Sequence, residues 1–271
     1  MINLDIYCTT LHHFKILDKL PSYIKPLGLG DNSFPKHWLT EKEGKNISNL
    51  NKYYGEMSGI YWIWKNKLKS KNSNDWVGNC HYRKLWLNSL YEKKQKSSLN
   101  SLYQMLLNQK NEIFNKCDAI QVQPIILKKE TVYEQFSKVH EKKIMENCVN
   151  LLPAEQKNKF MNFLNGNKLC GLNMFITKTY IYKEYCENVF PWMEKCLNYC
   201  LDNNLGKGYN IRLPAFLAER YTSFWFLEFT NTKFLSYARL GNFMLSNKIN
   251  SYINPTKIPL TFRMYPTLHD Y

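Results

Sequence analysis

The chain has 271 residues, 44% of them hydrophobic and 15% aromatic, enough to bury a sizeable core and too much for a disordered segment. Its net charge of +15 admits nucleic acid, an anionic membrane surface or an acidic small molecule as partners. The lysines are dispersed, however, and the denser groups at Lys65–Lys71 and Lys93–Lys96 read as solvated faces, which weighs against nucleic acid. Eight cysteines are scattered without Cys-x-x-Cys spacing, the pattern of reduced thiols rather than of a zinc site. No apolar run approaches the roughly 20 residues of a spanning helix, and the N-terminus lacks a basic region followed by an apolar stretch. The expectation is a cytoplasmic protein, with peripheral contact at the inner face of the plasma membrane as the variant its charge favours.

In chain order, Ile2–Cys8 alternates like a strand, and Thr9–His13 forms the loop at its carboxyl end. Leu27–Thr40, rich in Gly, Pro, Asp and Asn, reads as a long loop. Asn46–Lys69 reads as one helix, with Ser48 able to cap it and aromatic residues recurring at helical spacing. Asp75–His81 is a second core strand. Ser97–Asn115 is an amphipathic helix, and Ala119–Leu127 a strand interrupted by Pro124. Thr131–Asn150 and Ala154–Leu164 are helical, and Cys170–Thr177 is a strand. Thr179–Asn203 is a long helix broken or kinked near Pro191. Pro214–Phe229 is a helix opening on proline, Phe234–Arg239 is a short strand, and the tail from Asn242 has no assignment. Strands alternating with helices predict an α/β fold with a mostly parallel sheet flanked by helices, and further helices toward the C-terminus. With no internal repeat or linker, residues 1–271 read as a single domain.

The phosphate-loop, dinucleotide-fingerprint, zinc-protease and nucleophile-elbow motifs are absent, as is Asp-x-Asp. No metal ligands are therefore assigned. Two segments carry concentrated chemistry. In the first, Glu56 lies within an otherwise apolar, aromatic helix face, where a carboxylate needs a partner or a ligand. In the second, His81, Tyr82 and Arg83 follow directly on a buried strand: a ring that titrates near neutrality and can donate to a leaving phosphate, a phenol, and a planar fork suited to a diphosphate.

The runs Tyr54-x-Glu56-Met57-Ser58, Tyr61-Trp62-Ile63-Trp64-Lys65-Asn66 and His81-Tyr82-Arg83-Lys84 resemble a bacterial family long catalogued as a domain of unknown function. Gly44–Ser48, Asn173-Met174-Phe175 and Glu219-Arg220 extend the resemblance over nearly the whole chain, in order. Lys45 stands where the family usually carries Asp, Met57-Ser58 where it carries Leu-Thr, and Lys84 where it carries a second Arg. Members occur in capsule and O-antigen loci and are regarded as glycosyltransferases of GT-A-like (Rossmann-like) fold. The resemblance implies a UDP-sugar donor, galactose in pyranose or furanose form first among them. It also implies an acceptor on a growing capsular polysaccharide, O-antigen or lipooligosaccharide. Residues 1–130 would form the nucleotide-sugar half and 131–271 the acceptor half. On that reading Thr9, His12 and His13 touch uracil or ribose. Asn46, Ser48, Asn51 and Glu56 line the donor pocket, and His81, Tyr82 and Arg83 neutralise the diphosphate in place of an Asp-x-Asp metal site. A manganese or magnesium ion remains compatible but is signalled by no motif. Glu219 is the first candidate for the general base, Asn173 orients the acceptor, and His140 and Asp118 are alternative polar groups. The competing readings are transfer of another group onto surface glycans and a non-catalytic carbohydrate- or membrane-binding protein.

Overall fold

The computed structural model describes residues 2–88, 95–97, 99–140, 142–205, 207–240 and 260–265. Lys93, Lys94 and most of the tail from Asn242 lie outside these residues.

Four parallel strands form one half of the central sheet: β1 (Leu4–Thr10), β2 (Ile24–Gly28), β3 (Leu39–Thr40) and β4 (Trp76–His81), in the order β3-β2-β1-β4. Beyond β4 lies β10 (Phe175–Lys178), antiparallel to β4 and to β7 (Ala119–Val122), which pairs in parallel with β11 (Thr232–Leu235). The architecture is thus α/β with a mostly parallel central sheet. A short ribbon, β5 (Lys84–Trp86), β12 (Tyr237–Leu240), β13 (Leu260–Tyr265) and β6 (Gln95–Ser97), continues from the end of β4 through antiparallel pairs. The tail therefore contributes strand β13. A separate two-residue pair joins β8 (Ile125–Ile126) to β9 (Lys168–Leu169).

Both sheet faces are covered, so the strands read as continuous apolar runs with alternate residues entering opposite cores. Tyr7, Val77, Ala119 and Phe175 face the larger core. Its helices are α1 (Asn51–Tyr54), α2 (Met57–Asn66), α4 (Val132–Ser137), α5 (Lys142–Asn150), α6 (Ala154–Leu164), α7 (Thr179–Asp202) and α8 (Leu213–Phe229). Ile6, Cys8, Cys80, Ile120 and Ile176 face the other core, with residues of α3 (Leu99–Met105). All eight cysteines are free and buried.

The chain departs from the sequence reading in several places. Ser97–Asn115 is not one helix: α3 ends at Met105 and a 3-10 turn follows at Glu112–Asn115. Within Cys170–Thr177 the strand begins only at Phe175, and Phe234–Arg239 divides between β11 and β12. Leu27–Thr40 is not wholly loop, because β2, paired to β1, ends within it and β3 forms there by pairing with β2. Thr131–Asn150 divides into α4 and α5. Helix α7 continues through Pro191 as a single 24-residue element; the proline removes one amide donor, but the buried apolar face keeps the helix docked. Asn46–Lys69 is not one helix: a 3-10 turn at Ser48–Leu50 and α1 precede a break at Gly55, and α2 follows. Ser48 does not cap; its hydroxyl donates to Asn46 Oδ1 at 2.9 Å. Gly55 sits at φ +54°, ψ −133°, and a Cβ there would stand 2.6 Å from a terminal nitrogen of Arg212. Only glycine accepts both constraints.

Candidate active site

The carboxyl ends of β1, β2, β3 and β4 share one edge of the sheet, and antiparallel β10 delivers its amino end to the same edge. Open α/β sheets bind their ligands along this rim. The break at Gly55 turns Glu56 toward it, immediately before α2. Glu56 Oε1 accepts from Asn173 Nδ2 at 3.0 Å, and Oε2 faces Arg212 at 3.4 Å. Asn173, fully buried just before β10, is held in turn. Thr222 Oγ1, itself 2.6 Å from Tyr185 Oη, lies 2.9 Å from Asn173 Oδ1. The Asn173 carbonyl accepts from Asn79 Nδ2 at 2.6 Å. The Asn173 side chain thus links Glu56 through its amide N–H and Thr222 through its amide oxygen.

Burial alone would raise the Glu56 carboxyl, but His81, the Asn173 amide and Arg212 outweigh it and hold the group below its ordinary value. Burial lowers His81 to about 4, against the pull of the Glu56 carboxylate and with Lys84 and Arg212 adding to the fall. At neutral pH the ring is uncharged, so it offers a neutral N–H or lone pair instead of titrating there. Its Nε2 is buried without a partner. Glu219, on α8, behaves in the opposite way from Glu56. Burial pushes its carboxyl up to about 7; Arg220 opposes this and the Glu56 charge reinforces it. Glu219 accepts from Arg220 at 3.0 Å, and the same guanidinium donates to the Phe216 carbonyl at 3.0 Å and to Gln135 at 2.6 Å. Lys84, whose amine is lowered by burial, interacts with both carboxylates.

The structure therefore gathers Glu56, His81, Asn173 and Glu219 from four separate segments. The other candidates sit around them in different capacities. The Thr9 hydroxyl donates to the Cys80 carbonyl at 3.1 Å and ties β1 to β4. His12 is exposed in the loop after β1, beside Phe14. His13 is drawn away to Asp18 at 2.9 Å. Asn46 Nδ2 donates to the carbonyls of Lys42 and Gly44, and Asn46 Oδ1 accepts from Ser48, so these two residues shape their own turn. Asn51 donates to the Gly55 carbonyl at 3.0 Å and to Ser58 Oγ at 2.8 Å, bracing the break that presents Glu56. Tyr82 stacks on Phe14 at 5.0 Å, and the exposed Arg83 guanidinium lies 5.2 Å from the Tyr82 ring. His140 pairs with Asn210 at 2.9 Å. Asp118 is at the opposite edge of the sheet, paired with Lys178 at 2.7 Å.

Two residues at the rim escaped the sequence reading. Arg212 faces Glu56 from the start of α8, across 156 positions of chain, and no local spacing signals that contact. Glu41, directly after β3, is fully buried. Its Oε1 accepts the Gly30 amide at 2.6 Å, and the Ser58 hydroxyl also acts on the carboxyl. Burial raises its carboxyl. The Tyr61–Asn66 motif has a scaffold role: Asn66 clasps the backbone of Lys45 in both directions at 2.9 and 2.7 Å, and Trp62 Nε1 donates to the Glu43 carbonyl. No three His, Cys, Asp or Glu side chains gather as metal ligands among the described residues, so no metal-ligand set is assigned here.

A family described as a domain of unknown function, DUF4422, matches residues 5–231. The chain belongs to that family. Among solved structures, this DUF4422 chain is similar to one described as the apo structure of the bifunctional glycosyltransferase WbbM, with a TM-score of 0.69 at 18% identity. The match covers 89% of this chain and 46% of that one, so the DUF4422 chain spans about half the length of that relative. The likeness supports a GT-A-like fold. No curated protein matches the chain. No helix among the described residues is long and apolar enough to cross a membrane.

Proposed function

We propose that the chain is a glycosyltransferase that moves a hexose from a nucleoside-diphosphate sugar to a hydroxyl of a glycan acceptor. The observation that carries this reading is the convergence of Glu56, His81, Lys84, Arg212 and Glu219 at the carboxyl rim of a sheet similar to that of a solved glycosyltransferase; within it Glu56 is held below its ordinary value and Glu219 is raised to about 7. A group titrating near working pH is suited to general-base catalysis. In the proposed step Glu219 takes the proton of the acceptor hydroxyl. The acceptor oxygen bonds to the anomeric carbon, the bond from that carbon to the diphosphate oxygen breaks, and the nucleoside diphosphate leaves. Arg212, Lys84 and Arg83 supply positive charge for the departing phosphates, and His81 Nε2 supplies a neutral hydrogen bond; stabilising that developing charge is the main electrostatic demand of the reaction. Glu56 orients a sugar or ribose hydroxyl. The GT-A-like fold supports the reading without fixing the sugar.

UDP-galactose is the proposed donor, and a capsular polysaccharide, O-antigen or lipooligosaccharide the proposed acceptor. The net positive charge fits peripheral attraction to an anionic membrane surface, where lipid-linked acceptors reside. Thermal shift with UDP, UDP-galactose and UDP-glucose, with and without manganese, tests the donor. A UDP-specific rise in Tm is expected, together with release of UDP from UDP-galactose that Glu219→Gln suppresses. No shift with any nucleotide overturns the reading.

A further inference from the structure

Tyr209 is 68% exposed, the most exposed large apolar side chain among the described residues. It stands in the 3-10 turn Gly208–Arg212 that leads into α8, and its ring does not stand alone. Phe216 lies 5.0 Å from it and His140 lies 6.5 Å away, nearly parallel at 5°. His140 also stacks on Phe216 at 5.1 Å. The His140 ring is fixed by its Nδ1–H, which donates to Asn210 Oδ1 at 2.9 Å, and by packing 4.5 Å from Phe136. The turn, the segment after α4 and the first turn of α8 therefore hold three rings as one ledge whose outermost face is open.

The ledge adjoins the carboxylates. The Arg212 guanidinium lies 5.9 Å from the Phe216 ring and faces Glu56. Arg220 bonds the Phe216 carbonyl and Glu219 with one terminal nitrogen. A ligand resting on the rings would thus reach toward the groups assigned to proton removal and charge stabilisation. What it must offer is an apolar face for the rings and a hydroxylated edge for charged donors and carboxylates, which a pyranose ring combines. A protein partner fits poorly: a stable interface buries about 800 Å² per partner, whereas each aromatic side chain supplies at most about 150–250 Å².

We propose that Tyr209, backed by Phe216 and His140, is the stacking platform of the saccharide acceptor, a subsite distinct from the residues that hold the donor. The proposal rests on the glycosyl-transfer reading, and the test separates the two. Saturation-transfer NMR is run on the wild type, Tyr209→Ala and Tyr209→Phe with lactose and methyl β-galactopyranoside as probes, alongside the UDP thermal shift of each protein. Tyr209 is exposed, so its truncation leaves the core intact. The expected result is saturation of the pyranose C–H protons in the wild type, retained in Tyr209→Phe and reduced about fivefold to tenfold in Tyr209→Ala, with the UDP shift equal in all three. A saccharide signal unchanged in Tyr209→Ala, or absent from a wild type that binds UDP, overturns the platform. A signal that Tyr209→Ala abolishes in a protein with no UDP shift keeps the platform and overturns the donor assignment. Absence of both responses overturns both.

Discussion

At the amino-terminal edge of the sheet, Asp5 sits between Lys25 and Lys71, each at 2.7 Å, and Asp118 holds Lys178 at 2.7 Å. At the carboxyl edge, His81 Nε2 is buried without a partner, and Glu56 meets Arg212 only at 3.4 Å. The same sheet thus closes its charge pairs at one end and leaves hydrogen-bonding capacity open at the other. A buried polar atom without a partner costs about 1–3 kcal/mol. Buried atoms without partners also occur elsewhere among the described residues; at the rim His81 Nε2 coincides with converging strands, a helix break and a helix start, the arrangement the proposed donor site requires.

The contrast can be broken from either end. The largest effect is expected at the rim: Glu219→Gln, nearly isosteric, lowers turnover about 10²–10⁴-fold if the carboxylate is the general base, measured as UDP release with acceptor present. Unchanged turnover removes Glu219 from the chemistry. At the opposite edge, Asp5→Ala leaves the poorly exposed Lys71 without its carboxylate and costs about 3 kcal/mol of stability, read by urea denaturation, with nucleotide binding unaltered. Asp5 is held below its ordinary value because Lys25 and Lys71 outweigh its burial, so its contribution is present above the unfolded carboxylate pKa and is lost as pH falls into the acid range.

Glu219 has the reverse sign. Its folded pKa is raised to about 7, so its contribution is complete below the ordinary carboxylate value and declines as pH rises toward 7. Glu219→Gln is therefore expected to be more stable than the wild type at pH 8, by about 2 kcal/mol, with the advantage vanishing near pH 4. A Tm difference that does not change with pH contradicts the raised carboxyl. The smallest effect is Asp118→Asn, which breaks a partly exposed pair with Lys178 and costs less than about 1 kcal/mol. Loss of transferase activity in that variant would erase the distinction between the edges.

Much of the scaffold is legible from residue pattern. The strands at β1, β4 and β10 are short β-branched or apolar runs, and α7 and α8 carry long apolar faces. Strands β2 and β3 carry no local signal, because Ile24–Gly28 includes a proline and Leu39–Thr40 is two residues long; β2 forms by pairing onto β1 and β3 by pairing onto β2. The helix over Asn46–Lys69 was drawn through Gly55 because apolar periodicity continues across it, while the close approach of Arg212 that favours glycine comes from a segment far along the chain. At the site, Glu56 and Glu219 stand out as carboxylates among apolar neighbours, His81 as a titratable ring directly after a buried strand, and Asn173 through the family motif. Asn46 and Ser48 were grouped with them by proximity in sequence, and the structure shows them bonding within their own turn.

Composition, alternation of strands with helices, and the ordered polar motifs determined an α/β fold and which polar residues stand at the ends of its elements, because burial patterns repeat locally along each element. The state and company of those residues required the tertiary structure. Glu56 and Glu219 are the same residue type on neighbouring helical elements, yet one is held ionised by Asn173 and Arg212 while the other is raised by burial beside the first. Their difference arises from desolvation and through-space charge, set by segments more than a hundred residues apart in the chain.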